Sequence, residues 1–221
     1  MRALVTGASS GIGRAIAERL LSDGWQVTGL SRSRPDLAGL DHVAVDLADP
    51  QATRAVLAGL GPFDAVIHAA GLLRVGRHDA MDLADGARMW RLHVEVATEL
   101  VQALVPAMPD GGRVVLIGSR VAAGAAGRSL YAASKSALTG FARSVAAELA
   151  PRRITVNIVA PGATDTPMLA DPARKGEPPK MPPMGRLIAP GEVAGTVAFL
   201  LSPAACSLTG QQIVICGGGS L

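Results

Sequence analysis

Seven short runs rich in valine, isoleucine and leucine recur along this 221-residue chain, most of them separated by longer alanine-rich stretches. They are RALVTG (2–7), QVTGLSR (26–32), HVAVDL (42–47), FDAVIHAAG (63–71), GRVVLIGS (112–119), RITVNIVAPG (153–162) and QQIVIC (211–216). Between them, apolar residues fall at helical spacing over 13–24, with Ile16, Leu20 and Leu21 inward, and over 83–106, 131–150 and 190–201. Asp49 followed by Pro50 reads as the N-cap and first turn of a further helix. Strands that alternate with helices from end to end predict an α/β fold, a parallel sheet covered by helices on both faces. There is no internal repeat, and the length suits one domain over residues 1–221.

Composition narrows the reading further. Apolar residues make up 49% of the chain but aromatics only 3%, so the core must be built from Ala, Val, Leu and Ile. The net charge of +3 comes from scattered arginines, which argues against a nucleic-acid partner. Cys206 and Cys216 lack metal-like or redox-motif spacing and read as small buried hydrophobes in a reducing compartment; no metal site is expected. The N-terminus runs straight into an apolar strand, and no apolar run reaches the ~18 residues that span a bilayer. The expectation is a soluble, cytoplasmic protein without a membrane partner.

The first strand enters TGASSGIG (6–13), which opens the first helix. Small residues there let the backbone approach a pyrophosphate, while the helix N-terminus offers free N–H groups and a favourable dipole. Placed between strand and helix, the spacing G-x-x-x-G-x-G predicts a dinucleotide site rather than a plain turn. The end of the second strand selects the dinucleotide: an acid binds the ribose 2′-OH of NAD, a base pairs with the 2′-phosphate of NADP. Ser31 and Arg32 stand there with no acid before Asp36, so NADP(H) is preferred over NAD(H). Arg14 and Arg34 are candidate helpers. Farther on, SLYAASKSAL (129–138) holds the one tyrosine, Tyr131, and, four residues later, Lys135. That spacing puts both on one helix face.

With DL (46–47), HAAG (68–71), Ser119, YAASK (131–135), VNIVAPG (156–162), Thr166, PMGRLIAPGEVAGTVAFLLS (183–202) and LTGQQIVICGG (208–218), these motifs form an ordered set. Over essentially its whole length the chain resembles the short-chain dehydrogenase/reductase superfamily, in its compact single-domain branch. The resemblance implies a Rossmann-type, doubly wound sheet of seven parallel strands, a nicotinamide cofactor and a homotetramer or homodimer. It implies that Gly7, Ser9, Ser10, Gly11, Ile12 and Gly13 line the pyrophosphate, with Ser31 and Arg32 beside the adenosine ribose. Asp46 and Leu47 would flank the adenine, and Ala69, Ala70 and Gly71 would pack on the adenosine side. Pro161, Gly162, Thr164 and Thr166 would hold the nicotinamide end, where Tyr131 and Lys135 also meet the cofactor.

The chemistry follows from Tyr131. A free tyrosine has a pKa near 10, too high for a general base at neutral pH. A lysine ammonium and an oxidised nicotinamide nearby stabilise phenolate and lower that value. In reduction the phenol gives its proton to a carbonyl oxygen, and Ser119 hydrogen-bonds the same oxygen as charge develops. An oxidoreductase interconverting a small ketone or aldehyde with a secondary alcohol is expected.

Three positions depart from the family pattern. His93, in MWRLHVEVATEL, stands where relatives carry an asparagine that supports a water chain to the lysine. It is a catalytic candidate as a proton relay, although a buried structural histidine is the preferred reading. His68 stands for another asparagine and is expected to bond backbone between neighbouring strands. Cys216 stands where aspartate is frequent. The proline-rich stretch 166–185 reads as a substrate lid, with Met168, Met181 and Met184 as its soft underside. Leu72, Leu73 and 120–128 are further walls. The expected substrate is largely apolar, unless Arg120 or Arg128 recognises a carboxylate or phosphate. Alternatives are a 3-oxoacyl-carrier-protein reductase and a catalytically silent NADP-binding sensor.

Overall fold

The computed structural model describes residues 1–171 and 180–221. Its strands are β1 (Arg2–Thr6), β2 (Gln26–Ser31), β3 (Asp41–Ala44), β4 (Ala65–His68), β5 (Arg113–Ile117), β6 (Thr155–Pro161) and β7 (Gln212–Ile215). The helices are α1 (Gly11–Ser22), α2 (Pro50–Ala58), α3 (Leu83–Trp90), α4 (Val96–Leu104), α5 (Ser129–Leu149) and α6 (Pro190–Leu201). All seven strands pair in parallel in the order β3-β2-β1-β4-β5-β6-β7. The chain therefore winds outward from β1 to one edge, then from β4 to the other. A crevice opens between β1 and β4, where the winding reverses.

Successive strand residues point to opposite faces and build two separate cores. On one face Leu4, Val66, Val114 and Val156 meet Leu57 of α2, Leu100 of α4 and Leu138 of α5. On the other, Ala3, Val5, Ile67 and Val115 meet Ile16 and Leu20 of α1 and Val197 and Leu200 of α6. With both faces covered, no strand position can be polar cheaply, which is why the runs are apolar without alternation.

Three details differ from the sequence expectation. Helix α1 starts at Gly11 rather than 13, because the glycine turn is tight enough to begin the helix earlier. The helix expected over 83–106 is α3 and α4 joined by a π-type turn, Arg91–Glu95, and closed by a 3-10 turn, Val105–Ala107. Cys206 is exposed, whereas Cys216 is buried as expected. Asp49 does cap α2, its carboxylate accepting from the amides of Gln51 and Ala52. Among the described residues no helix is long and apolar enough to cross a membrane.

Part of the expected lid, 172–179 with Lys175, lies outside the described residues. Its base is stitched: Asp165 N–H donates to the Ile188 carbonyl and Ile188 N–H to the Ala163 carbonyl, each at 2.9 Å.

Candidate active site

A cleft of about 1050 Å³ lies along the carboxyl ends of the strands, across the switch point. At its base is the glycine turn. Gly7 has φ +69°, and a Cβ there would sit 2.9 Å from the Ala70 Cα and amide nitrogen. A Cβ on Gly13 would come within 2.2 Å of the Gly7 carbonyl oxygen. Only glycines let this turn lie so close to β4 and α1. The Ser10 side chain makes no capping bond, and α1 has no acid in its first turn. Its first amides thus meet no side-chain acceptor, which suits them to an anion. Gly7, Ser9, Ser10, Gly11, Ile12 and Gly13 all line the cleft.

Ser31 and Arg32 after β2, Asp46 and Leu47 after β3, and Ala69, Ala70 and Gly71 after β4 line the same half. No carboxylate stands at the end of β2, and Arg32 is exposed at the rim. The two candidate helpers are elsewhere. Arg14 is held by Glu18 at 2.7 Å, one helical turn on, and Arg34 does not line the cleft.

Beyond the switch point, Ser119, Tyr131, Lys135 and His93 line the cleft, as do Pro161, Gly162, Thr164 and Thr166. Ser119 follows β5, and its Oγ accepts from the Val121 amide at 3.1 Å. On α5 the buried stripe runs through Ala132, Lys135, Leu138, Ala142 and Ala146, so the lysine occupies a core position. Its Nζ donates to the Ile117 carbonyl at 2.7 Å. Burial pushes the Lys135 ammonium down from 10.5 to about 7, because the charged form loses its hydration. Tyr131 lies one turn earlier, its ring edge-on to His93 with centroids 5.5 Å apart.

The histidines are fixed by their bonds. His93 Nε2 accepts from the Leu72 amide at 3.2 Å, so the proton is on Nδ1, which donates to Ser134 Oγ at 2.9 Å. Ser134 in turn donates to the Tyr131 carbonyl at 2.9 Å. Both ring nitrogens of His93 are therefore engaged, and burial, with the Lys135 charge, holds its pKa well below 6.5. His68 Nε2 donates to the Leu92 carbonyl at 2.9 Å, and its Nδ1 accepts from Thr6 Oγ1 at 2.8 Å. Thr6 Oγ1 also accepts from the amides of Ala69 and Ala70. His68 thus joins a neighbouring strand's side chain to a helix, rather than bonding strand backbone. Burial lowers its pKa to about 3. The Leu92 carbonyl that it bonds lies within the π-type turn.

Ser134 and Thr6 were not singled out from the sequence, and neither were Arg74, Arg88 and Lys180, which also line the cleft. A serine next to Lys135 inside a helix was the one available signal; nothing local marks the others. Met168 lines the cleft, but Met181 and Met184 are exposed and do not.

A doubly wound sheet with its cleft at the switch point and a glycine turn at its base defines a nucleotide-binding α/β protein. The family model described as enoyl-(acyl carrier protein) reductase matches residues 7–220. The 3-oxoacyl-[acyl-carrier-protein] reductase FabG of Salmonella typhimurium is 38% identical, over 98% of this chain and 96% of that protein. A short chain dehydrogenase from Burkholderia cenocepacia, solved in complex with NADP, superposes with a TM-score of 0.90 at 36% identity, covering 100% of this chain and 98% of its own. A blue fluorescent protein from a metagenomic library, in complex with NADPH, gives 0.89 at 35% identity, with coverages of 100% and 98%. The chain belongs to the short-chain dehydrogenase/reductase superfamily.

Proposed function

We propose that this chain is an NADP(H)-dependent oxidoreductase that interconverts a small ketone or aldehyde with a secondary alcohol, Tyr131 acting as general acid and base. The observation that carries the reading is the meeting of Ser119, Tyr131 and Lys135 in one cleft with an uncapped glycine turn. NADP-bound relatives of the same fold support the choice of cofactor, as does Arg32 where a carboxylate would favour NAD. The α1 amides and Gly7–Gly13 turn would hold the pyrophosphate, and Arg32 the 2′-phosphate. Bound NADP(H) supplies the hydride donor or acceptor.

The chain's own residues do the rest. Ser119 Oγ hydrogen-bonds the carbonyl oxygen and stabilises it as negative charge grows. Tyr131 delivers the proton, and Lys135, close behind on the same helix, favours phenolate when charged. His93, with both nitrogens engaged, positions α5 through Ser134 instead of relaying protons. The segment 166–185 acts as the substrate lid of a single nucleotide-binding domain. Exposed Phe199 on α6 and Val214 on edge strand β7 suit a contact between subunits, consistent with a homotetramer or homodimer that sedimentation would identify. A cytoplasmic location accompanies this reading.

Oxidation of NADPH against a panel of ketones, aldehydes and sugars tests the function. Tyr131→Phe is expected to lower kcat by about 10³-fold while NADPH binding changes little. Wild-type turnover in that variant would remove Tyr131 from the mechanism. The 38% identity to FabG over 98% of this chain favours a second reading, reduction of 3-oxoacyl thioesters. Comparing an acyl thioester with free ketones separates the two.

A further inference from the structure

Past Ser119 and Tyr131, the cleft is lined by Arg74, Arg88, Arg120, Arg128 and Lys180, against a single carboxylate there among the described residues, Asp171. That carboxylate is already 3.1 Å from Arg74, and Arg88 is held by Asp85. Arg120 differs from both. It follows Ser119 directly in the chain, is half-buried, and lies against the C-terminal turn, where a Cβ on Gly219 would be 3.5 Å from its Nε. Its guanidinium forms no ion pair or hydrogen bond with any described residue. A partly desolvated cation with no counter-ion among the described residues is costly, and an oxyanion offering paired acceptors relieves that cost.

The cofactor's own phosphates do not serve that purpose. The pyrophosphate belongs at the α1 N-terminus and the 2′-phosphate at Arg32. Ser119 and Arg120 follow β5, three strands from β2 in the sheet order, which is about 14 Å across the sheet. The walls of a low-dielectric cleft also focus a field of one sign onto whatever enters. Resting on the oxidoreductase reading, we propose that the carbonyl substrate carries an oxyanion, carboxylate or phosphate, and that Arg120 receives it beside the reacting carbonyl. The substrate pocket is then selective for charge, in contrast to the largely apolar substrate expected from the methionine-rich loop.

The test uses NADPH-loaded wild-type protein, Arg120→Gln and Arg120→Lys. Two matched pairs serve as substrates: 4-oxopentanoate against 4-oxopentanamide, and dihydroxyacetone phosphate against dihydroxyacetone. A charged member is expected to show a kcat/KM at least about tenfold above its neutral partner, with the margin shrinking at high salt. The pair that shows it tells whether the oxyanion is a carboxylate or a phosphate. Arg120→Gln should lower the charged-to-neutral ratio about tenfold, mainly through KM, and Arg120→Lys should retain part of it. A ratio near one in both pairs, or a ratio that survives Arg120→Gln, overturns the inference and leaves the oxidoreductase reading standing. If no carbonyl is reduced, that reading fails by itself, and calorimetry on the NADP⁺-loaded protein decides the anion site. Benzoate binding more tightly than benzamide, with the margin lost in Arg120→Gln, supports it; equal binding overturns it.

Discussion

At the dinucleotide end of the cleft the base is a glycine turn packed against main chain, whereas beyond Ser119 five long cationic side chains stand among smaller apolar ones. At the first end the turn itself is one contiguous stretch, where a Cβ at Gly7 or Gly13 would collide with neighbouring main chain. The second gathers Arg74, Arg88, Arg120, Arg128 and Lys180 from separate segments. A backbone surface is rigid and recognises what all dinucleotides share, the pyrophosphate. A side-chain surface can be changed one residue at a time without disturbing the sheet. Near the switch point Lys135, His68 and His93 are all buried, and the two histidines are bonded on both ring nitrogens.

The difference between the ends is open to direct attack. Gly13→Val is the largest perturbation: with a Cβ 2.2 Å from the Gly7 oxygen, the turn must shift. NADPH affinity should fall about 100-fold in a fluorescence titration. Retained affinity would mean that the turn is as adaptable as the arginine end.

The buried histidines predict acid sensitivity. His68 titrates at about 3 and His93 well below 6.5 in the folded chain, whereas both titrate near 6.5 when unfolded. From pH 6.5 down to about 3 the unfolded chain binds protons that the folded chain does not. Stability therefore falls as the pH falls through that window, by up to about 1.4 kcal/mol per pH unit for His68, and His93 adds to the loss in the same direction. Urea unfolding between pH 7 and 5 measures this, and His68→Asn should make the slope shallower.

Lys135 gives a second window of the same sign on the alkaline side. Its pKa is about 7 when folded and 10.5 otherwise, so the unfolded chain holds the extra proton between those values. Stability of the cofactor-free protein should rise with pH from 7 toward 10.5, again by about 1.4 kcal/mol per unit at most. Lys135→Met should abolish the rise. The smallest effect is expected at the exposed rim. Arg32→Gln should lower the preference for NADPH over NADH by about five- to tenfold, read from the two dissociation constants. No change would detach Arg32 from the 2′-phosphate.

Much of this arrangement was legible beforehand. The seven apolar runs mark the seven strands because a parallel sheet buried on both faces tolerates little else. Asp49-Pro50 marks the start of α2, since capping is a local bond to the next amides. His93 shows where legibility stops. Its place in the chain allows a relay beside the preferred structural role, and the Leu72 amide and Ser134 hydroxyl that engage its ring are invisible in the sequence. The π-type turn was hidden as well, and one of its carbonyls, Leu92, is bonded by a histidine 24 residues away.

By itself the sequence determined the alternation of strands and helices, the glycine turn, and the order in which Ser119, Tyr131 and Lys135 occur. These depend on backbone sterics and on hydrogen bonds within a few residues. Only the tertiary structure decided which groups face one another. Lys135 meets a carbonyl 18 residues away, His93 a serine 41 away, and Arg74 a carboxylate 97 away. The charge of those side chains is written in the sequence, but their convergence is not: a charge acts through distance and burial, and both are set by the packing of the whole sheet.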